Sequence, residues 1–281
     1  MPVSWKHKNR KGGAAMIIPD NVSPLDHPEV ISLLFYPRRD SGQPLPQHVT
    51  RIDIATADGL RLDNRLYPAA PEKPHILFFH GNGEIAEDYD DIGRIYTQSG
   101  MSFVVVDYRG YGASQGMPGV TSMLADAHAA INRINDWMAI EKRTGPLWVM
   151  GRSLGSAPAI ELAYACPEKM SGLIIESGFS QTMPLLRRIG INVDRLNIPD
   201  DKVFSNSDKI AAYTGPTLII HAQYDQIIPI DHGRELFARS PATTKKMHMV
   251  PDADHNTLLM MAGMNYFHII RNFIASAGVH A

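Results

Sequence analysis

The sequence predicts an α/β fold in which a mostly parallel sheet is covered by helices on both faces. From residue 75 onward, short apolar runs alternate with helical segments, as expected of strands joined by crossover helices. The runs are apolar throughout rather than at every second residue, which is typical of strands buried on both faces. They lie at 76–79, 103–106, 147–150, 173–175 and 217–220.

The chain before this alternation differs in composition and in periodicity. Residues 1–49 are rich in proline and show little periodicity, so we interpret them as an N-terminal arm. Its apolar run predicts that Leu34, Phe35 and Tyr36 pack on the main domain. The main domain is then predicted to span residues 50–281.

The main domain is predicted to open with a β-hairpin. Apolar residues alternate at Ile52 and Ile54 and again at Leu60 and Leu62, with an Asp-Gly pair between the two runs. Asp-Gly flanked by alternating apolar residues is a strong signal for a tight turn. We therefore expect two antiparallel strands at the start of the domain.

The later part of the chain carries an insertion and a final strand and helix. Residues 177–216, between two predicted core strands, are too long for a turn and too short for a domain. Apolar residues such as Leu185 and Leu186 suit a small cap over a pocket and a cover for the sheet edge equally well. The last strand is predicted at 245–250 and one final helix at 257–275.

Composition argues against several classes of function. The formal net charge of −2, from 27 basic and 29 acidic residues, gives no reason to expect a nucleic-acid partner. No apolar run approaches the roughly 18 residues of a membrane span. The single cysteine, Cys166, permits no internal disulfide. We expect a soluble, cytoplasmic protein without a cofactor, since the sequence has no His or Cys cluster with metal-ligand spacing.

The strongest chemical signal is the segment 147–165. An apolar strand is followed by the pentapeptide GRSLG at 151–155 and then by an alanine-rich helix. This Gly-x-Ser-x-Gly turn is a nucleophile elbow, because its glycines permit a tight backbone that presents the serine above the sheet edge. Free N–H groups at the start of the helix favour a developing negative charge. The sequence therefore predicts Ser153 as a nucleophile.

A serine nucleophile needs a base within hydrogen-bond reach and an acid that orients the base. In this architecture the order along the chain is Ser, Asp, His, and the acid and base lie on loops that follow strands. Asp225 and His255 satisfy both conditions. We therefore predict a triad of Ser153, Asp225 and His255.

Other acidic residues compete with Asp225 for the role of the acid. Glu176 also ends a core strand after the elbow, so it stays open as an alternative. Asp252 and Asp254 lie too near His255 along the chain to orient its ring.

The reaction also needs N–H donors for the oxyanion. One is predicted to be the backbone N–H of Leu154, the residue after the nucleophile. The other is expected from the turn at 80–83, where we predict Asn82, with Gly83 as the alternative. His80 is expected to make a structural hydrogen bond instead.

Two further predictions concern the support of the site. Asp107 and Arg109 are expected to form an ion pair that braces their loop. His221, at the end of a predicted strand, is expected to support the loop that carries Asp225.

With these residues in place, the chain resembles the α/β-hydrolase superfamily. Within it, the chain is most similar to the serine hydrolases called alpha/beta hydrolase domain-containing proteins, which include protein depalmitoylases and lysophospholipases. The matching segments are FFHGNGE at 78–84, DYRGYGASQG at 107–116, GRSLGSAPA at 151–159, IIESGF at 174–179, HAQYDQIIPIDHG at 221–233 and ADHN at 253–256. They run in register from about residue 50 to the end of the sequence.

The resemblance implies both a fold and a set of site residues. The implied fold is the α/β-hydrolase fold, with a mostly parallel eight-stranded sheet, an N-terminal antiparallel hairpin, helices on both faces and a small cap-like insertion. The family's nucleophile, acid and base fall on Ser153, Asp225 and His255.

The sequence departs from this family in two ways. It lacks the membrane span or Cys-rich anchor of eukaryotic members, which removes the main argument for a membrane-bound lipid or acylated-protein substrate. Pro158, five residues after the nucleophile, removes a helical N–H and is expected to kink the helix near its start.

The predicted function is that of a serine hydrolase that cleaves a small-molecule carboxylic ester or thioester through an acyl-enzyme on Ser153. Two other functions stay open. One is an amidase or peptidase that uses the same triad, and the other is a catalytically silent scaffold that binds a ligand or a protein partner.

Overall fold

The computed structural model describes residues 23–199 and 203–278. The first 22 residues of the predicted arm and residues 200–202 of the predicted insertion lie outside the described residues. The strands are β1 Ile54–Ala55, β2 Arg61–Leu62, β3 Asn64–Tyr67, β4 His75–Phe79, β5 Ser102–Val106, β6 Leu147–Arg152, β7 Gly172–Glu176, β8 Thr217–Ala222 and β9 Lys245–Val250. The helices are α1 Pro28–Leu34, α2 Asp90–Gln98, α3 Val120–Ile140, α4 Ser156–Ala165, α5 Thr182–Arg188, α6 Asn206–Ile210, α7 Ile230–Arg239, α8 Leu258–Ala262 and α9 Met264–Ala277.

The main sheet has the strand order β3-β5-β4-β6-β7-β8-β9. β3 pairs with β5 in the antiparallel sense, and every other neighbouring pair is parallel. The predicted α/β fold with a mostly parallel sheet is confirmed. Because parallel strands share the direction of their carboxyl ends, the loops after β4, β6, β8 and β9 all leave the sheet at one edge.

The expected number of strands is wrong. The described residues place seven strands in the main sheet rather than eight, and the predicted hairpin, β1 with β2, forms a two-stranded sheet of its own. The segment before β1 lies beside β3, but the Asn64 side chain bonds both the N–H and the C=O of Ile52. That amide takes the place of ladder hydrogen bonds, and only an isolated bridge between Thr50 and Leu66 remains.

The strands bury both faces, as their continuous apolar runs predict. Along β4, Leu77 and Phe79 belong to the core under α3 and α4, whereas Ile76 and Phe78 belong to the core under α2 and α9. Side chains alternate between the faces of a strand, so each run must be apolar throughout to supply two cores.

The described part of the arm packs on the body, but one of the three residues predicted to pack there does not. Phe35 is buried and Leu34 is partly buried in the α3 and α4 core, but the Tyr36 side chain is 70% exposed. Asp26 gives the arm a second attachment, since its Oδ1 accepts the N–H groups of Val120 at 2.7 Å and Thr121 at 3.2 Å. The arm therefore supplies the anion that caps the N-terminus of α3.

Two expectations about helices need correction. The single final helix is divided into α8 and α9 at Gly263, whose φ of 53° breaks the helical path. The kink expected from Pro158 is not required, because this residue is the third of α4. The first four N–H groups of a helix have no intrahelical acceptor, so proline removes no hydrogen bond there.

Within residues 23–199 and 203–278, no helix combines the length and the apolar character needed to cross a bilayer.

Asp26→Ala tests the capping contact between the arm and α3. We expect the free energy of unfolding to fall by about 1 kcal/mol, because two N–H groups of the first turn lose their acceptor. Urea denaturation measures the change. Asp53→Ala is the control, since the ion pair of Asp53 with Arg61 lies on the exposed surface and its loss is expected to change stability by less than about 0.5 kcal/mol. Equal effects of the two substitutions would contradict the capping role.

Candidate active site

The three residues of the predicted triad lie in one hydrogen-bonded row. Ser153 Oγ donates to Nε2 of His255 at 2.9 Å, and Nδ1 of His255 donates to Oδ2 of Asp225 at 2.7 Å. A carboxylate only accepts, so Asp225 fixes the ring proton on Nδ1 and leaves Nε2 free to accept from the serine. The residues come from the loops after β6, β8 and β9, which meet at the same edge of the sheet.

The backbone around Ser153 has the strained geometry of an elbow. Ser153 has a φ of 54°, a value that L-residues other than glycine rarely adopt. A Cβ on Gly151 would overlap the carbonyl oxygen of Gly155, and a Cβ on Gly155 would overlap the carbonyl oxygen of Phe79. Both glycines of the motif are therefore required by close backbone contacts, one inside the turn and one with the end of β4.

The loop that carries Asp225 is fixed by its own hydrogen bonds. Oδ1 of Asp225 accepts the N–H groups of Ile227 at 3.0 Å and Ile228 at 2.7 Å. His221 Nε2 donates to the carbonyl of Ile228 at 2.8 Å, in agreement with the predicted supporting role of His221. Burial of Asp225 opposes its charge, but the hydrogen bonds from His255 and Ile228 outweigh burial and hold the pKa of Asp225 below its usual value.

The turn after β4 is held by contacts that the sequence did not reveal. Asn82 Oδ1 accepts from the backbone N–H of Tyr36 at 2.7 Å and from the hydroxyl of Tyr111 at 2.8 Å. These bonds fix the turn and with it the direction of the Asn82 backbone N–H. Leu154, the other predicted donor, is the second residue of the short helical turn Ser153–Gly155, where the first N–H groups lack intrahelical partners.

The alternative acids lie elsewhere. Glu176 Oε1 accepts from Arg152 Nε at 3.1 Å, and its other oxygen accepts from the Tyr266 hydroxyl. Asp254 binds the N–H groups of Asn256 and Thr257 in its own loop. Among the acids that the sequence left open, the residue bonded to the ring of His255 is Asp225.

The predicted ion pair between Asp107 and Arg109 is wrong. Asp107 is buried at the end of β5, where it accepts the N–H of Ala86 at 2.8 Å and lies 3.2 Å from Nε2 of His80. Arg109 lies nearer the surface and reaches the carboxylates of Asp126 and Asp58 instead. The structural role predicted for His80 agrees with its Nδ1 hydrogen bond to the carbonyl of Gly81 at 2.8 Å.

Two cavities are lined in part by residues next to Ser153 or His255 in the sequence. One lies under the insertion, has a volume of about 10 Å³ and is lined by apolar side chains that include Leu154, Phe179 and Leu185. The other has a volume of about 220 Å³ and reaches Arg152 and Asn256, the neighbours of Ser153 and His255 in the sequence. The insertion thus covers an apolar space that is almost filled.

Comparison with known proteins gives matches over most of the chain. Residues 70–195 match a family model described as serine aminopeptidase, S33. Protein bem46 of Schizosaccharomyces pombe is 28% identical over 239 residues, which cover 82% of this chain and 78% of bem46. Alpha/beta hydrolase domain-containing protein 17B of Homo sapiens is 28% identical over 235 residues, which cover 78% of this chain and 73% of the relative.

Solved structures with the same fold include an esterase of Pyrococcus furiosus. It superimposes with a TM-score of 0.71 over 87% of this chain and 98% of the esterase, at 15% sequence identity. At this identity the likeness concerns the fold alone, and it agrees with the α/β-hydrolase fold that the sequence predicts.

Gly151→Ala tests the close packing of the turn that holds Ser153. We expect a loss of about 1–3 kcal/mol in the free energy of unfolding, because the new Cβ overlaps the Gly155 carbonyl and the core must shift. Gly278→Ala is the matched control, since Gly278 has a φ of −73° and its nearest neighbouring atoms would lie 3.8 Å from a Cβ. Urea denaturation of both variants measures the difference, and equal stabilities would refute the packing argument.

Proposed function

Because this chain is a member of the α/β-hydrolase superfamily, we propose that it is a serine hydrolase that cleaves carboxylic ester or thioester bonds through an acyl-enzyme on Ser153. The observation that supports this proposal most strongly is the row of hydrogen bonds from Ser153 through His255 to Asp225, with lengths of 2.9 and 2.7 Å. These lengths lie within the range over which a base can take the proton of a nucleophile.

In the first half of the reaction, Ser153 Oγ attacks the acyl carbon and its proton passes to Nε2 of His255. The Asp225 carboxylate stabilises the imidazolium that forms. The bond from the acyl carbon to the leaving oxygen or sulfur then breaks, and the leaving group takes the proton from Nε2. The product of this half is an ester between the acyl group and Ser153.

In the second half, water loses a proton to Nε2 of His255 and adds to the same acyl carbon. The bond to Ser153 Oγ breaks, the serine recovers the proton, and the carboxylic acid leaves. In both halves the backbone N–H groups of Leu154 and Asn82 bind the oxyanion. Such donors point at the developing charge before it forms, so they need little reorganisation during the reaction.

The cavity under the insertion suggests a short acyl group. Leu154 lines this cavity and follows the nucleophile directly, which places the cavity on a suitable side for the acyl chain. Its volume of about 10 Å³ corresponds to about one water molecule. An acyl chain longer than a few carbons would therefore have to displace packed side chains of the insertion.

An amide substrate is the second candidate, and the description of the matching family model, serine aminopeptidase, favours it. The same triad chemistry applies to an amide, with the leaving nitrogen protonated by His255.

Parallel assays with p-nitrophenyl acetate, an acyl thioester and an aminoacyl p-nitroanilide separate these substrates. Faster turnover of the anilide than of the ester would favour the amidase. Ligand binding without turnover of any of them would favour the silent scaffold.

Ser153→Ala and Asp225→Asn test the proposed triad. We expect Ser153→Ala to abolish labelling by a fluorophosphonate and to lower kcat for p-nitrophenyl acetate by roughly 10⁴–10⁶-fold. Asp225→Asn is expected to lower kcat by about 10⁴-fold, because an amide no longer enforces the tautomer that accepts from Ser153. Ser171→Ala, at an exposed serine, is the control that keeps wild-type labelling and turnover. A folded wild-type protein that resists the probe would overturn the proposal.

Leu185→Ala tests the acyl site. We expect kcat/KM for p-nitrophenyl hexanoate to rise about tenfold relative to that for the acetate, because the enlarged cavity buries about two more CH₂ groups at about 0.8 kcal/mol each. A chain-length series of nitrophenyl esters measures this shift. Leu66→Ala is a matched control, since Leu66 is buried in β3 and does not line the cavity. An unchanged chain-length profile in Leu185→Ala would show that the acyl chain binds elsewhere.

A further inference from the structure

Arg152 precedes Ser153 in the sequence and takes no part in the proposed proton transfers. Its side chain is only 13% exposed and reaches three groups in different segments. Nη2 donates to the backbone carbonyl of His255 at 2.8 Å, Nε donates to Glu176 at 3.1 Å, and Nη1 forms an ion pair with Glu84. One guanidinium thus lies between the segment that carries the base and the turn that carries the proposed oxyanion donor Asn82.

Glu84 extends this contact into the turn after β4. Its Oε2 accepts the backbone N–H of Gly81 at 2.7 Å and the hydroxyl of Tyr89 at 2.5 Å. The carboxylate therefore closes the turn from Gly81 to Glu84, with Asn82 inside it. Because Arg152 holds the other oxygen of Glu84, movement of Arg152 would move this turn as a unit.

Glu176 holds the guanidinium from the opposite side. It lies at the end of β7, the neighbour of β6 in the sheet, and its second oxygen is bonded to Tyr266 of α9. Because this strand end is paired within the sheet, Glu176 holds the Arg152 guanidinium in a fixed position. Burial raises the pKa of Glu176, whereas the nearby Arg152 helps to hold the pKa of Glu84 below its usual value despite burial.

The chemistry of the guanidinium suits this arrangement. Arginine presents five N–H donors in a planar fork, so it can bind two carboxylates and a carbonyl at once in fixed directions. A lysine ammonium would supply the charge but not the planar geometry. The three bonds of Arg152 leave in three directions and therefore restrict both the position and the tilt of the group.

We propose that Arg152 is a positioning residue for the hydrolysis, which holds the His255 backbone and the Asn82 turn at a fixed separation on either side of Ser153. This inference rests on the proposed function. Arg152 touches neither the substrate nor the reacting atoms, and it acts through the loop of the base and the turn of the oxyanion donor. Its loss should lower kcat and leave KM nearly unchanged, because the oxyanion and the imidazolium form only after substrate binding.

The simpler alternative is that Arg152 only neutralises two buried carboxylates. Removal of one partner from a buried ion cluster destabilises a protein strongly, whereas replacement of the whole cluster by neutral groups is often tolerated. A set of variants can separate this role from positioning. Arg152→Met, combined with Glu84→Gln and Glu176→Gln, removes the charges together, and the glutamine oxygens can still accept from Gly81 and Tyr266. Arg152→Lys keeps the charge but loses the fork.

The experiment measures kcat and KM for p-nitrophenyl acetate, the rate of fluorophosphonate labelling, and the urea midpoint of each variant. For the triple variant we expect stability near that of the wild type and a kcat lower by about 10²-fold, the typical effect of misplacing catalytic groups by about 1 Å. For Arg152→Lys we expect a kcat at least tenfold below the wild type. KM should change by less than about threefold in both variants.

A control variant accounts for the general effects of disturbing a buried ion pair. Lys209→Met breaks the buried pair of Lys209 with Glu161, a residue of α4 that lies eight positions after Ser153, about 12 Å along the helix. We expect this variant to lose stability and to keep the wild-type kcat in its folded fraction.

The outcomes distinguish the inference from the proposed function. If the wild-type protein is labelled at Ser153 and the triple variant or Arg152→Lys retains kcat within threefold, the positioning role is refuted and the proposed function stands. If the wild-type protein is not labelled, the proposed function fails first and the positioning role fails with it. A low kcat in both Arg152 variants, with folded protein and an unchanged KM, supports the inference.

Discussion

The structure depends on a close approach of two backbones at the carboxyl edge of the sheet. The turn between β6 and α4 lies so near the end of β4 that a Cβ at Gly155 would overlap the carbonyl of Phe79, and a Cβ at Gly151 would overlap the turn itself. This packing holds Ser153 at a φ of 54°. Strained backbone persists only where the surroundings over-determine it. Here the surroundings are the two strands, whose pairing brings Phe79 opposite Gly151.

The same strand order explains why residues far apart in the sequence meet. The loops after β6, β8 and β9 leave one edge of a parallel sheet, and these strands lie within three positions of one another. Strand pairing in this order brings the loops that carry Ser153, Asp225 and His255 to the same edge of the sheet. The positions of the loops are then fixed by side chains at the strand ends, as where His221 of β8 holds the loop of Asp225 through the carbonyl of Ile228.

Much of this arrangement was readable from the sequence, because it follows from local patterns. The continuous apolar runs gave the strands, and the Gly-x-Ser-x-Gly turn and the chain order of the polar residues gave the row that contains Ser153. Contacts between segments that are distant in the sequence could not be predicted in this way, because they depend on which surfaces meet in the folded protein. The Asp107 carboxylate turned to Ala86 and not to Arg109, Asn64 replaced a strand pairing, and the separate hairpin reduced the number of strands in the main sheet. No periodicity or spacing distinguishes these partners from their competitors.

The arm shows that a segment without a periodic sequence pattern can still make contacts that order a turn of the main domain. We interpret residues 1–49 as an arm because they show little periodicity, yet in its described part the backbone N–H of Tyr36 donates to Asn82 Oδ1, and Arg38 Nε donates to the carbonyl of Gly83 at 2.6 Å. A turn at the end of a strand has no ladder partner for its own N–H and C=O groups, so other segments can supply their hydrogen-bond partners. For this turn the partners come from the arm on one side and from Glu84, held by Arg152, on the other. The order of the turn is therefore set by segments that lie 45 residues before it and 68 residues after it.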